Sequence, residues 1–179
     1  MHQALRVLNE LVEDGVIPLY AIGGAIAASF YIEAQATADL DVFVVLPKAA
    51  AGLSLLTPVY AACKEKGGVV EGEHIHFGSW PVQILDPYKP LIEEAMASAV
   101  EVDFDGIPTR VMTAEHLCAI CLDTKRTKDI FRVSVFIEQA AVDVEALKGI
   151  LQRYNLLDRA ALVPNWPEQV IHGNRPNPA

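Results

Sequence analysis

The sequence predicts an α/β fold: a small mixed β-sheet flanked by helices, followed by a C-terminal helical segment. Three observations carry this expectation. Helix-period and strand-length apolar runs alternate through the first two thirds of the chain. The run 41–46 is continuously apolar after its first residue, as a central strand would be. From about residue 114 onward the pattern is helical only. The 179 residues divide by pattern into a core at 1–110, helices packed on it at 111–162 and a Pro-rich tail at 163–179.

Taken in order, residues 3–13 place Leu5, Leu8, Leu11 and Val12 at helical spacing, and Asp14-Gly15 closes that helix. A first strand is expected at about 17–22 and a helix of small residues at 25–33, with a loop at 34–38 leading to Asp39. The second strand is 41–46, and 47–53 is a connection or helix start. A helix at 58–67 ends at Gly67-Gly68. The runs 69–77 and 81–85 form a hairpin about Gly78-Ser79. A proline-bounded turn at 86–90 leads to a helix at 91–100, and 102–111 is a second hairpin about Asp105-Gly106. Asp103 and Asp105, beside that glycine, read as turn residues. Thr113 is placed to cap the next helix, and further helices are expected at 130–140, 143–152 and 154–161. In the tail, Trp166 is the residue expected to dock.

Composition excludes several functions. A net charge of −9 and a pI near 4.9 argue against general nucleic-acid binding, which needs a basic face. The apolar stretch 16–32 is broken by Pro18, Gly23, Gly24 and Ser29 and reads as a buried strand and helix, not a membrane span. Three cysteines, an odd number, and an N-terminus that enters an amphipathic helix at once are expected of a cytoplasmic protein with reduced thiols. Cys118-x-x-Cys121 lies among apolar neighbours with no second cysteine pair, so packing is expected in place of redox or metal chemistry. Glu71, Glu73, His74 and His76 read as a solvated hairpin face; the two histidines would share a strand face, but no third and fourth zinc ligand follows at suitable spacing.

The informative stretch is Gly23-Gly24 followed by Asp39-Leu40-Asp41. In an extended chain Asp39 and Asp41 point the same way, and two carboxylates on one face need a cation, a shared proton or basic neighbours. A glycine pair between a strand and a helix lets the backbone approach a ligand, and a helix N-terminus favours phosphate. Glycine pairs and Asp-x-Asp each occur in plain turns; together, in strand–helix–strand context, they resemble the nucleotidyltransferase superfamily in its minimal form. Its pattern is a Gly-Gly or Gly-Ser turn opening a helix, then Arg-x-Thr-x-Asp-x-Asp. The matching residues are Gly23, Gly24, Thr37, Asp39 and Asp41, with Gln35 at the arginine position. A second match is the basic run 123–129, where Lys125, Lys128 and Asp129 resemble the family's lysine and Lys-Asp helix opening. The AbiEii-type toxin branch carries Lys-Asp-x-x-Asp; here the last position is Arg132.

The resemblance implies a nucleotidyltransferase that moves a nucleoside monophosphate from a nucleoside triphosphate to an unknown acceptor. Asp39 and Asp41 would be catalytic and hold Mg²⁺. Gly23, Gly24 and Thr37 would contact the nucleotide. Lys125, Lys128 and Asp129 would act on the phosphates. A third metal carboxylate is implied on the strand 81–85; the candidates are Gln83, which carries no charge, and Asp86 at the strand's end, which strand parity turns to the other face. A cognate antitoxin is a partner that the toxin branch would imply. Gln35 and Gln83 favour an alternative, a degenerate non-catalytic nucleotide-binding or interaction module on the same fold. A purely structural α/β protein is a third reading.

Overall fold

The computed structural model describes residues 1–34, 36–46 and 56–167; Gln35, the whole 47–53 connection and the tail beyond Pro167 lie outside the described residues. The chain separates into two compact units, Met1–Thr113 and the part beginning at Ala114.

The first unit holds a seven-stranded mixed sheet. Its strands are β1 (Leu19–Ile22), β2 (Leu40–Val45), β3 (Val69–Glu71), β4 (His74–Phe77), β5 (Trp80–Leu85), β6 (Val100–Phe104) and β7 (Ile107–Val111). The spatial order is β3-β4-β5-β2-β1-β7-β6. Both β1–β7 and β2–β5 are parallel pairs, and the remaining pairs are antiparallel. The helices of this unit are α1 (His2–Glu13), α2 (Gly24–Ala28), α3 (Thr57–Glu65) and α4 (Pro90–Ala97).

One face of the sheet is the core. Tyr20 and Ile22 of β1, Leu40, Val42 and Val44 of β2, and Val82 and Ile84 of β5 all point to it and are buried. Helix α1 covers this face, because its period brings Leu5, Leu8 and Leu11 to one side, each at most 1% exposed. Each such leucine contributes about 1.5–3 kcal/mol by leaving water. Polar atoms at this interface are paired: the Tyr20 hydroxyl donates to Asn9 Oδ1 at 2.7 Å and lies 3.0 Å from Thr109 Oγ1.

Period two then puts Asp41, Gln83, His74 and His76 on the opposite, partly exposed face. The core strands are therefore what aim the polar set outward.

Several boundaries differ from the sequence expectation. The run 69–77 is two strands, because Gly72, at φ +61°, turns the chain so that Glu71 pairs with His74. Helix α2 spans five residues, not 25–33: the Ser29 hydroxyl bonds the Ile26 carbonyl at 2.7 Å, and Tyr31 N–H bonds Ala28, three residues back, which tightens and ends the helix. Helix α4 stops at Ala97 because Val100 is already paired with Val111.

The second unit is helical: α5 (Ala114–Thr124), α6 (Thr127–Glu138), α7 (Val144–Arg153) and a 3-10 helix at Leu157–Leu162. The expected helix at 154–161 is this shorter 3-10 turn. Asp143 caps α7 by accepting from the N–H groups of Glu145 and Ala146 at 2.9 and 3.1 Å. Phe136, Leu122, Leu147 and Leu151 are fully buried, and Trp166 is docked at 5% exposure. Cys118 and Cys121 are core residues; burial pushes both thiols up, Cys121 to about 11, so neither offers a thiolate at neutral pH.

Candidate functional site

The site begins where β1 ends. Gly23 N–H donates to the Asp41 carbonyl at 3.0 Å, which continues the β1–β2 ladder at the second aspartate of the pair. Gly24 follows at φ +60° and opens α2. A Cβ built on Gly24 would stand 1.9 Å from Asp41 Oδ2, so the Asp41 carboxylate occupies the space that any other residue's side chain would need. A Cβ on Gly23 would stand 2.7 Å from the Phe43 ring. The room created by the glycine pair is thus used by the protein's own Asp41 and Phe43. With only five residues, α2 has a small dipole, and the phosphate-binding strength expected of a full helix N-terminus does not apply.

Asp39 lies just before β2. The Thr37 hydroxyl donates to Asp39 Oδ1 at 3.1 Å, and His74 Nε2 lies 3.8 Å from Asp39 Oδ2. Asp41 is level with Gln83 of β5, and Gln83 is level with His74 of β4. The structure thus brings Thr37, Asp39, Asp41, Gln83 and His74 together on one face, beside Gly24. Asp86 is not level with them. It is exposed, one residue past β5 and three beyond Gln83, which is about 10 Å along a strand. The residue facing Asp41 from the neighbouring strand is a neutral amide.

His74 is the site residue that the sequence reading placed elsewhere. Only its half of the expectation for the 71–76 face changes: His76 Nε2 lies 3.7 Å from Glu71 Oε2, away from the aspartates. The signal for His74 was its parity with Gln83, which needs the β4–β5–β2 register to be read.

In the second unit Asp129 is 1% exposed in the first turn of α6. Its carboxylate accepts from the Thr124 hydroxyl at 2.6 Å, Arg126 Nε at 2.5 Å and Arg132 Nη1 at 3.3 Å. Arg132, which stands where the toxin-branch pattern has a second aspartate, is itself buried and is a partner of Asp129. A buried carboxylate between two guanidinium groups and a hydroxyl holds the α5–α6 turn together. That turn consists of Lys125, at φ +59°, and Arg126; Lys125 and Lys128 are both exposed.

Two carboxylates with an open side form the kind of donor set that Mg²⁺ takes when a triphosphate and water supply its other oxygens. Among the described residues no group of three or more His, Cys, Asp or Glu could hold a metal by itself. Two carboxylates are fewer oxygens than Mg²⁺ takes, so an ion held by Asp39 and Asp41 would need its other ligands from outside this cluster. No helix among the described residues is long and apolar enough to cross a membrane.

No protein-family model and no curated protein matches the sequence. Solved structures do match. The crystal structure of ANT(2'')-Ia in complex with adenylyl-2''-tobramycin aligns at 15% identity over 85% of this chain and 95% of that one, with a TM-score of 0.56. The solution structure of the antibiotic-resistance factor ANT(2'')-Ia aligns at 17% identity over 97% and 98%, also at 0.56. An antigenic nucleotidyltransferase-like protein from Paracoccidioides brasiliensis aligns at 16% identity over 95% of each chain, at 0.58. The fold of this chain is nucleotidyltransferase-like, and at these identities the likeness concerns the fold.

Proposed function

We propose that this chain transfers a nucleoside monophosphate from a nucleoside triphosphate to a hydroxyl acceptor, with Asp39 and Asp41 as the metal-holding carboxylates. The observation that carries the reading is the Asp41 carboxylate seated over Gly24: the glycine motif and the aspartate motif meet at one point in space.

In the reaction the acceptor oxygen bonds the α-phosphorus, the bond from that phosphorus to the bridging oxygen breaks, pyrophosphate leaves and the acceptor proton passes to solvent. Bound Mg²⁺ would neutralise phosphate charge and favour the ionised acceptor. The protein's own part is positioning. Gly24 fixes Asp41, and the Thr37 hydroxyl fixes Asp39. The turn at Gly23-Gly24 brings the backbone beside both carboxylates, where the triphosphate would lie. Lys125 and Lys128, exposed cations, are the candidates for countering charge on the departing pyrophosphate. Asp129 contributes by holding the loop that carries Lys125. ANT(2'')-Ia, whose complex holds an adenylylated tobramycin, shows the same fold working on a small hydroxylated acceptor; an acceptor of that kind is the reading extended to this chain.

A second reading, a nucleotide-binding or interaction module without catalysis, is favoured by Gln83, which faces Asp41 and can neither bind a cation by charge nor accept a proton. Transfer of label from α-³²P-nucleoside triphosphates to a panel of hydroxylated small molecules separates the two. Label transfer lost in Asp41→Ala supports the enzyme; nucleotide binding without transfer, retained in Asp41→Ala, supports the module.

A further inference from the structure

Asp39 has a side-chain neighbour at each of its carboxylate oxygens. Thr37, two residues earlier in the chain, donates to Oδ1 at 3.1 Å. His74, from β4, presents Nε2 to Oδ2 at 3.8 Å. The two side chains of the second contact are about equally exposed, 34% and 35%, so the imidazole and the carboxylate shield each other without being sealed from water. His74 also stands in the cross-strand row Asp41–Gln83–His74, fixed by the pairing of β2 with β5 and of β5 with β4. Asp41 lies against the Gly24 backbone; Asp39 lies outside the strand ladder, and among the described residues Thr37 and His74 flank its carboxylate. A carboxylate that is to share an ion with Asp41 must present one oxygen in a fixed direction, and groups beside a metal ligand commonly supply that direction.

We infer that His74 is a positioning residue for Asp39: with Thr37 it brackets the carboxylate, and metal affinity at this face depends on strand β4, which supplies no carboxylate of the pair. The inference rests on the reading of Asp39 and Asp41 as metal-holding groups. It assigns His74 no contact with substrate.

The test has a metal-free arm and a metal arm. In the metal-free protein, Asp39→Asn shifts the His74 ring resonances in a long-range ¹H–¹⁵N spectrum more than Asp41→Asn does. In the metal arm, Mn²⁺ alone is titrated calorimetrically. His74→Ala weakens Mn²⁺ binding about 3- to 10-fold, the effect of removing a partly exposed neighbour of a ligand. His74→Gln, which keeps an N–H donor at similar reach, restores most of it. In an Asp39→Asn background His74→Ala has no further effect. The inference is overturned if His74→Ala leaves the Mn²⁺ affinity unchanged while wild type binds, or if its effect persists in full without Asp39. If wild type binds no Mn²⁺ at all but the ring resonances respond to Asp39→Asn, the failure belongs to the metal reading, and the positioning role falls with it.

Discussion

Asp41 and Gly24 occupy one another's space: the carboxylate Oδ2 lies 1.9 Å from where a side chain on Gly24 would begin. Residue 24 is therefore glycine for two reasons, its φ of +60° and the aspartate above it. Gly15 has a similar φ of +71° but nothing within 4 Å of its missing Cβ. The pair is a matched experiment. Gly15→Ala should cost only the left-handed backbone penalty, about 1–2 kcal/mol. Gly24→Ala should cost more than Gly15→Ala in denaturant unfolding and should abolish metal–nucleotide binding, because Asp41 must move.

Asp129 and Arg132 form a buried ion pair in α6, at 1% and 8% exposure. Removing Asp129 takes the carboxylate away from a buried guanidinium. Asp129→Ala should destabilise by about 3–5 kcal/mol, and Asp129→Ala with Arg132→Met should recover much of that loss. Urea unfolding of the two variants measures the difference.

The local part of the candidate site is legible in the sequence. Gly23, Gly24, Asp39 and Asp41 lie within nineteen residues of sequence, and their spacing is set by one strand–helix–strand unit. The apolar run at 41–46 predicts a central strand, and β2 is the middle strand of the seven, flanked by β5 and β1. His74 was not legible as a site residue, because its place beside Asp39 depends on pairing between strands more than thirty residues apart. The early end of α2 and the break at Gly72 were decided by single residues, Ser29 and Gly72, acting against a longer apolar pattern. Arg132 looked like a departure from a pattern; the fold uses it to neutralise Asp129.

Stability should fall in alkali through the buried thiols. Burial raises Cys63 and Cys121 from about 9 to about 11, and raises Cys118 as well. A thiol whose folded pKa exceeds its unfolded one binds its proton more tightly when folded. Its stabilising effect is complete below pH 9 and is lost as pH rises from 9 through 11. Guanidinium unfolding at pH 8 and 10.5 should show a drop that is smaller in Cys63→Ala/Cys121→Ala than in wild type, each referred to its own value at pH 8.

The Tyr20 hydroxyl joins α1 to β7 through Asn9 and Thr109, at 2.7 and 3.0 Å. Tyr20→Phe leaves Thr109, which is 1% exposed, with a lost partner and should cost about 1–2 kcal/mol without changing nucleotide binding. Thermal unfolding and a nucleotide titration of the same sample report both.

The central claim is that Asp39 and Asp41 hold a metal-bound nucleotide. Calorimetric titration of each of the four nucleoside triphosphates, with and without Mg²⁺, tests it on wild type and on Asp39→Ala/Asp41→Ala. We expect at least one nucleotide to bind wild type only with Mg²⁺ and to bind the folded double variant at least tenfold more weakly, the loss expected on removing both carboxylates from the ion. Binding that is equal in wild type and double variant, or no binding to folded wild type by any of the four, would contradict it.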